Sequence, residues 1–246
     1  MARFAVILPA AGQSSRFRGR EKKPFAVLDG RPVWLRTAEL FVTRDDVCQT
    51  LLVVAPEDRE LFTSRYAANI AFLNIQLVDG GRERFDSVAN ALGKLSADAE
   101  FVAVHDAVRP CVTSVLIDTV FGQAVKHGAA VLAVPVQDTL KRSGDGQRVE
   151  ATVSRKGLWL AQTPQVFRRD LLEKAYADRA RHGDVTDDAQ LVEAAGQSVR
   201  LVTGSATNIK ITTSEDLMLA EAILRSRPQP KAARPIHPFA DEEMWR

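Results

Sequence analysis

Four short apolar runs, FAVILPA, TLLVVAP, IQLVDG and EFVAVHD, are each followed by a stretch with helical patterning. Those stretches are RPVWLRTAELFV, EDRELFTSRYA, RFDSVANALGKL and TSVLIDTVFGQAVKHG, and a fifth apolar run, AAVLAVPV, closes the series. A strand that is apolar at nearly every position leaves no face for water. A mostly parallel sheet covered by helices on both sides satisfies that requirement. The punctuation agrees: Pro32 suits a first helical position, Thr113 can cap the helix after it, and Gly128 suits a stop. The chain is therefore expected to be an α/β protein.

The rhythm breaks after Val136. The segment QDTLKRSGDGQRVEATVSRKGLWLAQTPQVF offers a turn at SGDG between two strand-like stretches, and reads as a hairpin or arm. An insertion that leaves the βα rhythm in this way often reaches across to another subunit. Helical patterning returns in RDLLEKAYADRA and DDAQLVEAAG. Two short strands, SVRLVTG and NIKITT, and a helix from about Ser214 complete the expectation. Residues 1–226 are read as one domain with an arm at about 137–157, and the Pro- and charge-rich residues 227–246 as a mobile tail.

Composition excludes several classes. With 46% hydrophobic and 26% charged residues, the 246-residue chain has a globular composition. No apolar run approaches the roughly 20 residues of a membrane span. The opening MARFAVILPAAG has too short an apolar centre for a secretory signal and suits a first buried strand. Cys48 and Cys111 form neither a disulfide framework nor a metal cluster. The protein is read as cytoplasmic. A net charge of +2 argues against a general nucleic-acid binder. The positive charge is local: residues 1–36 hold eight Lys or Arg against Glu21 and Asp29. Such a distribution suits a small polyanion better than a long one.

That charge sits beside a candidate anion site. PAAGQSS follows a strand and precedes charged residues, and its small side chains let backbone N–H groups approach an anion. It is neither a Walker loop nor a G-x-G-x-x-G fingerprint. Arg16, Arg18, Arg20, Lys22 and Lys23 then place five cations within eight residues. They repel one another unless a counter-charge is bound. The bland alternative is a solvated basic loop. Asp106, in VHDAVRP, falls at the carboxyl end of a strand, where open α/β sheets hold their ligands. There it can bind Mg²⁺ on a triphosphate, with Arg109 near enough for a second anion, or simply cap a turn. In VDGGRERFDSV, Gly80 and Gly81 allow close backbone approach and Ser87 lies early in a helix; a tight turn with a cap explains the same residues. Asp187 and Gln190 form a capping pair, and His105 is read as structural.

Taken in order, PAAGQSSRF…KKPF, VDGGRERFDSV, VHDAVRP, PVQDTLKR, RKGLW…QTPQVF, TDDAQ and NIKIT resemble the 2-C-methyl-D-erythritol 4-phosphate cytidylyltransferases of the non-mevalonate isoprenoid pathway. The resemblance covers residues 6 to about 225. It implies a Rossmann-like, mostly parallel sheet of the nucleotide-diphospho-sugar transferase type with a protruding β-arm. The implied reaction transfers CMP from CTP to the polyol phosphate and releases pyrophosphate, with Mg²⁺ as cofactor and a homodimer as the active unit. Arg16 and Lys23 would stabilise the transition state. The backbone of Ala10, Ala11 and Gly12, with Gly80 and Ser87, would hold cytosine and ribose. Asp106 would bind Mg²⁺ and lie near the sugar phosphate. Arg109, Thr139, Arg155 and Lys210 would grip the methylerythritol phosphate, Arg155 and Lys210 counting with Arg16 and Lys23 as catalytic, with Thr139 and Arg155 arriving from the partner subunit.

The chain departs from the family pattern in places. Lys22-Lys23-Pro24 stands where Pro-Lys-Gln is usual; counting from Arg16 and from Phe25 selects Lys23, with Lys22 able to share the role. Ser14 replaces a glycine, Phe17 a methionine, and Thr207 an aspartate before Asn-Ile-Lys. Two other readings remain at this point: a cytidylyltransferase for another polyol phosphate such as ribitol 5-phosphate, and a non-catalytic nucleotide-binding regulator.

Overall fold

The structure, a computed structural model, describes residues 2–12, 17, 22–179 and 185–227. Arg16, Ser14 and nearly all of the expected tail therefore lie outside the described residues. The first apolar run is strand β1 (Phe4–Pro9). A small ribbon of β2 (Val27–Leu28) and β3 (Arg31–Pro32) leads into helix α1 (Val33–Val42), and Pro32 stands just before the first helical residue as its cap. Next come β4 (Val47–Val54), the short helices α2 (Arg59–Arg65) and α3 (Ala67–Phe72), β5 (Ile75–Asp79) and α4 (Arg84–Leu92). The βα series ends with β6 (Phe101–Val104), α5 (Ser114–His127) and β7 (Ala129–Pro135). Around α5 the expected caps form: the Leu116 N–H donates to the Thr113 side chain, and Gly128 takes φ +83°, a conformation that suits glycine.

The chain then leaves the sheet for a hairpin, β8 (Leu140–Arg142) paired with β9 (Ala151–Val153), and this ribbon hydrogen-bonds to no strand of the main sheet. It returns along β10 (Trp159–Arg168), followed by α6 (Arg169–Ala177), α7 (Asp188–Ala194), β11 (Arg200–Thr203) and α8 (Ser214–Ser226). The seven-stranded sheet has the order β11-β7-β10-β6-β1-β4-β5. All strands run parallel except β10, which is antiparallel to both neighbours.

Two sequence expectations are corrected here. WLAQTPQVF belongs to the centre of the sheet, not to the arm. NIKITT forms no strand; its residues follow an irregular path held by the Ile211 N–H on the Val108 carbonyl, 2.9 Å.

Both faces of the sheet are covered, as the unbroken apolar runs require. On one side Val6, Leu8, Leu52 and Val54 pack with Trp34 and Phe41 of α1 and Ile117 and Phe121 of α5. On the other, Ile7, Leu51, Val53, Val102 and Val104 pack with Val88 of α4, Leu172 of α6 and Leu191 of α7. Trp34, Phe41, Ile7 and Leu51 are fully buried, each worth roughly 1.5–3 kcal/mol of transfer free energy. The order of strands matters for function. After β1 the chain fills one side with β4 and β5 and then crosses to β6 on the other, so the carboxyl ends of β1 and β6 flank a switch point where a crevice opens.

Candidate active site

Two adjoining cavities open at these strand ends. The first is lined by Ala10, Ala11 and Gly12 after β1, Lys23 and Pro24, Gly81 to Arg84 and Ser87 around the start of α4, Asp106 after β6, and Lys210. The second is lined by Arg109, Gln162, Thr163 and Gln165 of the β10 side, and Thr186 and Asp187 before α7. Arg84, Asp106 and Lys210 line both, so they stand at the seam.

Asp106 is buried, with 6% of its surface exposed, and three cations converge on it. The Lys210 Nζ lies 2.9 Å from its Oδ2, Arg109 Nε 3.2 Å from the same oxygen, and Arg84 Nε 3.9 Å from Oδ1. Burial alone would raise its pKa; the charges of Lys210, Arg84 and Arg109 outweigh that and hold the carboxyl well below the usual carboxylate range. The backbone is pinned as firmly. The Asp106 N–H donates to Thr163 Oγ1, 3.1 Å, and that hydroxyl meets His105 Nδ1 at 3.1 Å. His105 Nε2 faces the Arg109 carbonyl at 3.1 Å. Burial pushes the imidazole pKa down to about 4, so His105 is a neutral ring bridging two loops, the structural role expected of it. Arg109 reaches further, donating from Nη1 to the Asn208 carbonyl at 2.8 Å, which ties the strand end to the segment carrying Lys210.

The small-residue turns are shaped by close approach. A Cβ on Gly80 would stand 2.6 Å from the Ala11 Cβ and 3.1 Å from Ser87 Oγ; one on Gly81 would stand 2.1 Å from the Asp86 Cβ. Several groups expected to touch a nucleotide are already engaged. The Gly80 N–H donates to the Val54 carbonyl and the Ala10 N–H to the Val53 carbonyl, each at 2.7 Å. Ser87 Oγ accepts from the Gly81 N–H and donates to the Glu83 carbonyl, both at 3.1 Å. Gly80 does not line the cavity; it lies beneath Ala11 and sets the height of the turn. Gly80→Ala is accordingly expected to destabilise the fold by about 1–3 kcal/mol through overpacking, and to raise the KM of the nucleotide that the resemblance implies more than it lowers kcat. Thermal melting and steady-state kinetics check both.

The neighbouring lysines separate. Lys22 Nζ is bound by Asp58 at 2.8 Å and Glu57 at 3.2 Å, while Lys23 lines the first cavity. Lys23, Asp106, Arg109 and Lys210 are thus brought together with Ala10, Ala11, Gly12 and Ser87. Thr139 and Arg155 are not: both are on the arm, both are exposed, and neither lines either cavity of its own chain. Arg155 Nη1 instead donates to the Gln137 carbonyl.

Sequence reasoning missed four participants: Arg84, Thr163, Gln165 and the second role of Asp187. Asp187 accepts the Gln190 N–H at 2.9 Å as the expected cap, and also holds Gln165 Nε2 at 2.8 Å at the second cavity. For Arg84 a signal existed. It is the first residue of α4, where the helix dipole disfavours a cation, so its presence calls for an anion nearby.

A switch-point crevice with a small-residue turn, cationic side chains and one buried carboxylate, on a mixed, mostly parallel sheet, defines a nucleotidyltransferase. The chain belongs to the 2-C-methyl-D-erythritol 4-phosphate cytidylyltransferase family, whose sequence pattern matches residues 4–226, and it is a cytidylyltransferase. It is 46% identical to the 2-C-methyl-D-erythritol 4-phosphate cytidylyltransferase of Rhodopirellula baltica, over 91% of this chain and 95% of that one. Identity to the Bacillus velezensis enzyme of the same name is 43%, over 91% and 96%. The crystal structure of the Thermus thermophilus enzyme superposes with a TM-score of 0.75 at 36% identity, covering 92% of this chain and 100% of that one.

Proposed function

We infer that this chain transfers the cytidylyl group of CTP to 2-C-methyl-D-erythritol 4-phosphate, yielding 4-diphosphocytidyl-2-C-methyl-D-erythritol and pyrophosphate for isoprenoid precursor synthesis. The observation that carries the reading is the seam: one carboxylate under three cations, between a cavity with a nucleotide-type turn and a second cavity lined by Arg109. Two anions must be brought together against their repulsion, and the cations on both sides of Asp106 supply the attraction.

In this reading the first cavity takes CTP and the second the polyol phosphate. A phosphate monoester dianion is nucleophilic enough that a general base is unnecessary. One of its oxygens attacks the α-phosphorus of CTP in line, the P–O bond to the β-phosphate breaks, and pyrophosphate carries away the electron pair. Lys210 and Arg109 hold the attacking phosphate, joined by Thr139 and Arg155 from the arm of a second subunit. Lys23, with Arg16, neutralises the charge that grows on the phosphates as the bond breaks. Arginine suits phosphate oxygens through its planar fork and lysine through its compact charge. Residues 1–226 act as one catalytic unit with residues 137–157 as the exchanged arm. No described helix is long and apolar enough to cross a membrane; we assign the enzyme to the cytoplasm.

Among the described residues no three His, Cys, Asp or Glu side chains gather around one point. Asp106 alone offers a carboxylate to both cavities. A single carboxylate fits Mg²⁺ carried on a triphosphate, because Mg²⁺ is commonly held by one or two carboxylates together with substrate phosphates, and Asp106 would be the residue that holds it. Bound there, Mg²⁺ would supply charge neutralisation on the triphosphate. Asp106→Asn is expected to raise the half-saturating Mg²⁺ concentration about tenfold, and to reduce by a similar factor the gain in CTP affinity that Mg²⁺ brings. Titration calorimetry with CTP, with and without the metal, reads the second effect independently of turnover. Unchanged metal dependence in both assays would leave Asp106 as a counter-ion only.

The test of the reaction is pyrophosphate release from CTP with 2-C-methyl-D-erythritol 4-phosphate and, in parallel, with ribitol 5-phosphate. Turnover with the former alone is expected. Preference for ribitol 5-phosphate would change the acceptor, and CTP binding without release from either would indicate a regulator.

A further inference from the structure

We infer that Arg84 is a positioning residue of this site: anchored by Asp188, it keeps a fixed positive charge beside Asp106 while Lys210 turns towards the incoming phosphate. The inference rests on the assignment of Lys210 and Arg109 to the polyol phosphate.

Three features of Arg84 need a common cause. It opens α4, where a cation is electrostatically unfavourable. Its Nη2 donates to Asp188 Oδ2 at 2.6 Å, and the Asp188 side chain is wholly buried and also accepts from the Tyr176 hydroxyl at 2.5 Å. Its Nη1 is buried and has no hydrogen-bond partner among the described residues. An unsatisfied buried donor is costly, and one usually marks a ligand, a water or a functional constraint. Arg84 also lines both cavities.

The arrangement of charge explains why such a residue is kept. Lys210 is 40% exposed and touches Asp106 through one ammonium group, so it can swing to a phosphate oxygen. When it does, Asp106 loses its nearest cation, and a buried carboxylate stripped of its partners is strongly destabilised. Arg84 cannot follow Lys210, because leaving would strand the charge of Asp188 in the core. It is therefore a cation that stays, on the Oδ1 side of the carboxylate, opposite the oxygen that Lys210 and Arg109 share. With Arg84 in place the carboxylate tolerates the departure of Lys210. Without it, Asp106 would hold Lys210 and Arg109 more tightly and the phosphate would have to compete for them. The consequence falls on the polyol phosphate and spares CTP.

Arg84→Ala alone would leave Asp188 unpaired and endanger the fold, so the test uses Arg84→Gln combined with Asp188→Asn, which removes both charges and keeps a hydrogen-bonding side chain at each position. The folded double variant is expected to melt near the wild type, to bind CTP by calorimetry within about threefold of it, and to lose about tenfold or more in kcat/KM for the polyol phosphate. A folded double variant with wild-type kinetics towards both substrates, or with equal losses towards both, would mean that Arg84 exists only to neutralise Asp188, and overturns the inference. Should the double variant not fold, Arg84→Lys decides. One ammonium cannot satisfy Asp188 and face Asp106 together, so the same selective loss is expected, and wild-type kinetics overturn the inference. Wild-type enzyme that turns over a different polyol phosphate would refute the proposed acceptor; the Arg84 comparison, made with that acceptor, stands or falls separately.

Discussion

Lys23→Ala is expected to lower kcat by about 10²–10³-fold while changing the CTP KM only several-fold. The ground-state triphosphate would be held over the whole first cavity, chiefly by the turn at Ala10–Gly12 and the loop at Gly81 and Arg82, so one lysine would add little to its affinity. Charge on the bridging and leaving oxygens grows only as the P–O bond breaks, and a cation at that point is worth most in the transition state. Lys22→Ala is the matched control. It removes one like charge from the basic run but releases only the contacts with Asp58 and Glu57, so kcat should stay near that of the wild type. If Lys22→Ala proved the more damaging, the clamp would sit one residue earlier. Arg16→Ala should resemble Lys23→Ala.

Why one lysine of the pair was legible and other residues were not follows from what a sequence pattern encodes. Strands β1, β6 and β7 and the second half of β4 are apolar on both faces, and β5 keeps Ile75, Leu77 and Val78, a pattern that survives in one dimension. β10 is equally central but reads as part of the arm, because it continues the strand-like stretch after SGDG and Gln162, Thr163, Pro164 and Gln165 interrupt its apolar run. Its pairing with β7 lapses between Ala161 and Gln165, and the polar groups there are satisfied by partners far along the chain. Gln162 Nε2 donates to the Ser205 carbonyl at 2.8 Å, and Gln165 Oε1 accepts the Ala189 N–H at 3.0 Å. Those long-range bonds draw a strand-like but polar stretch into the centre of the sheet, and no local propensity announces them. The opposite error befell NIKITT. Its alternation suggested a strand, yet Asn208 is drawn inward to the Thr163 carbonyl at 2.9 Å, and Ile211 packs among Val33, Val108 and Ala220, next to α8. The site residues were legible where strand ends met small-residue turns. Arg84 was hidden because its role lies in Asp188, more than a hundred residues away.

Mixing inactive Lys23→Ala chains with inactive Arg155→Ala chains is expected to restore activity. Arg155 and Thr139 line neither cavity of their own chain, and the ribbon that carries them pairs with no strand of the main sheet. The same region leaves Val149, Leu158, Trp159 and Leu160 exposed, an apolar surface that a folded chain would ordinarily cover. A two-fold pair, the commonest closed assembly, would cover it once on each subunit and exchange both arms reciprocally. Each site would then combine Lys23, Asp106 and Lys210 of one chain with Arg155 and Thr139 of the other. In a heterodimer of the two variants, one site collects both lesions and the other collects neither. Random exchange makes half of the dimers mixed, so activity should return to about a quarter of the wild-type level at equal total protein. If Arg155 served its own subunit, every site would keep one lesion and mixing would restore nothing. Absence of recovery after exchange has been demonstrated by mass spectrometry of tagged chains would sink the shared site, and a fully active monomer would sink the dimer as well.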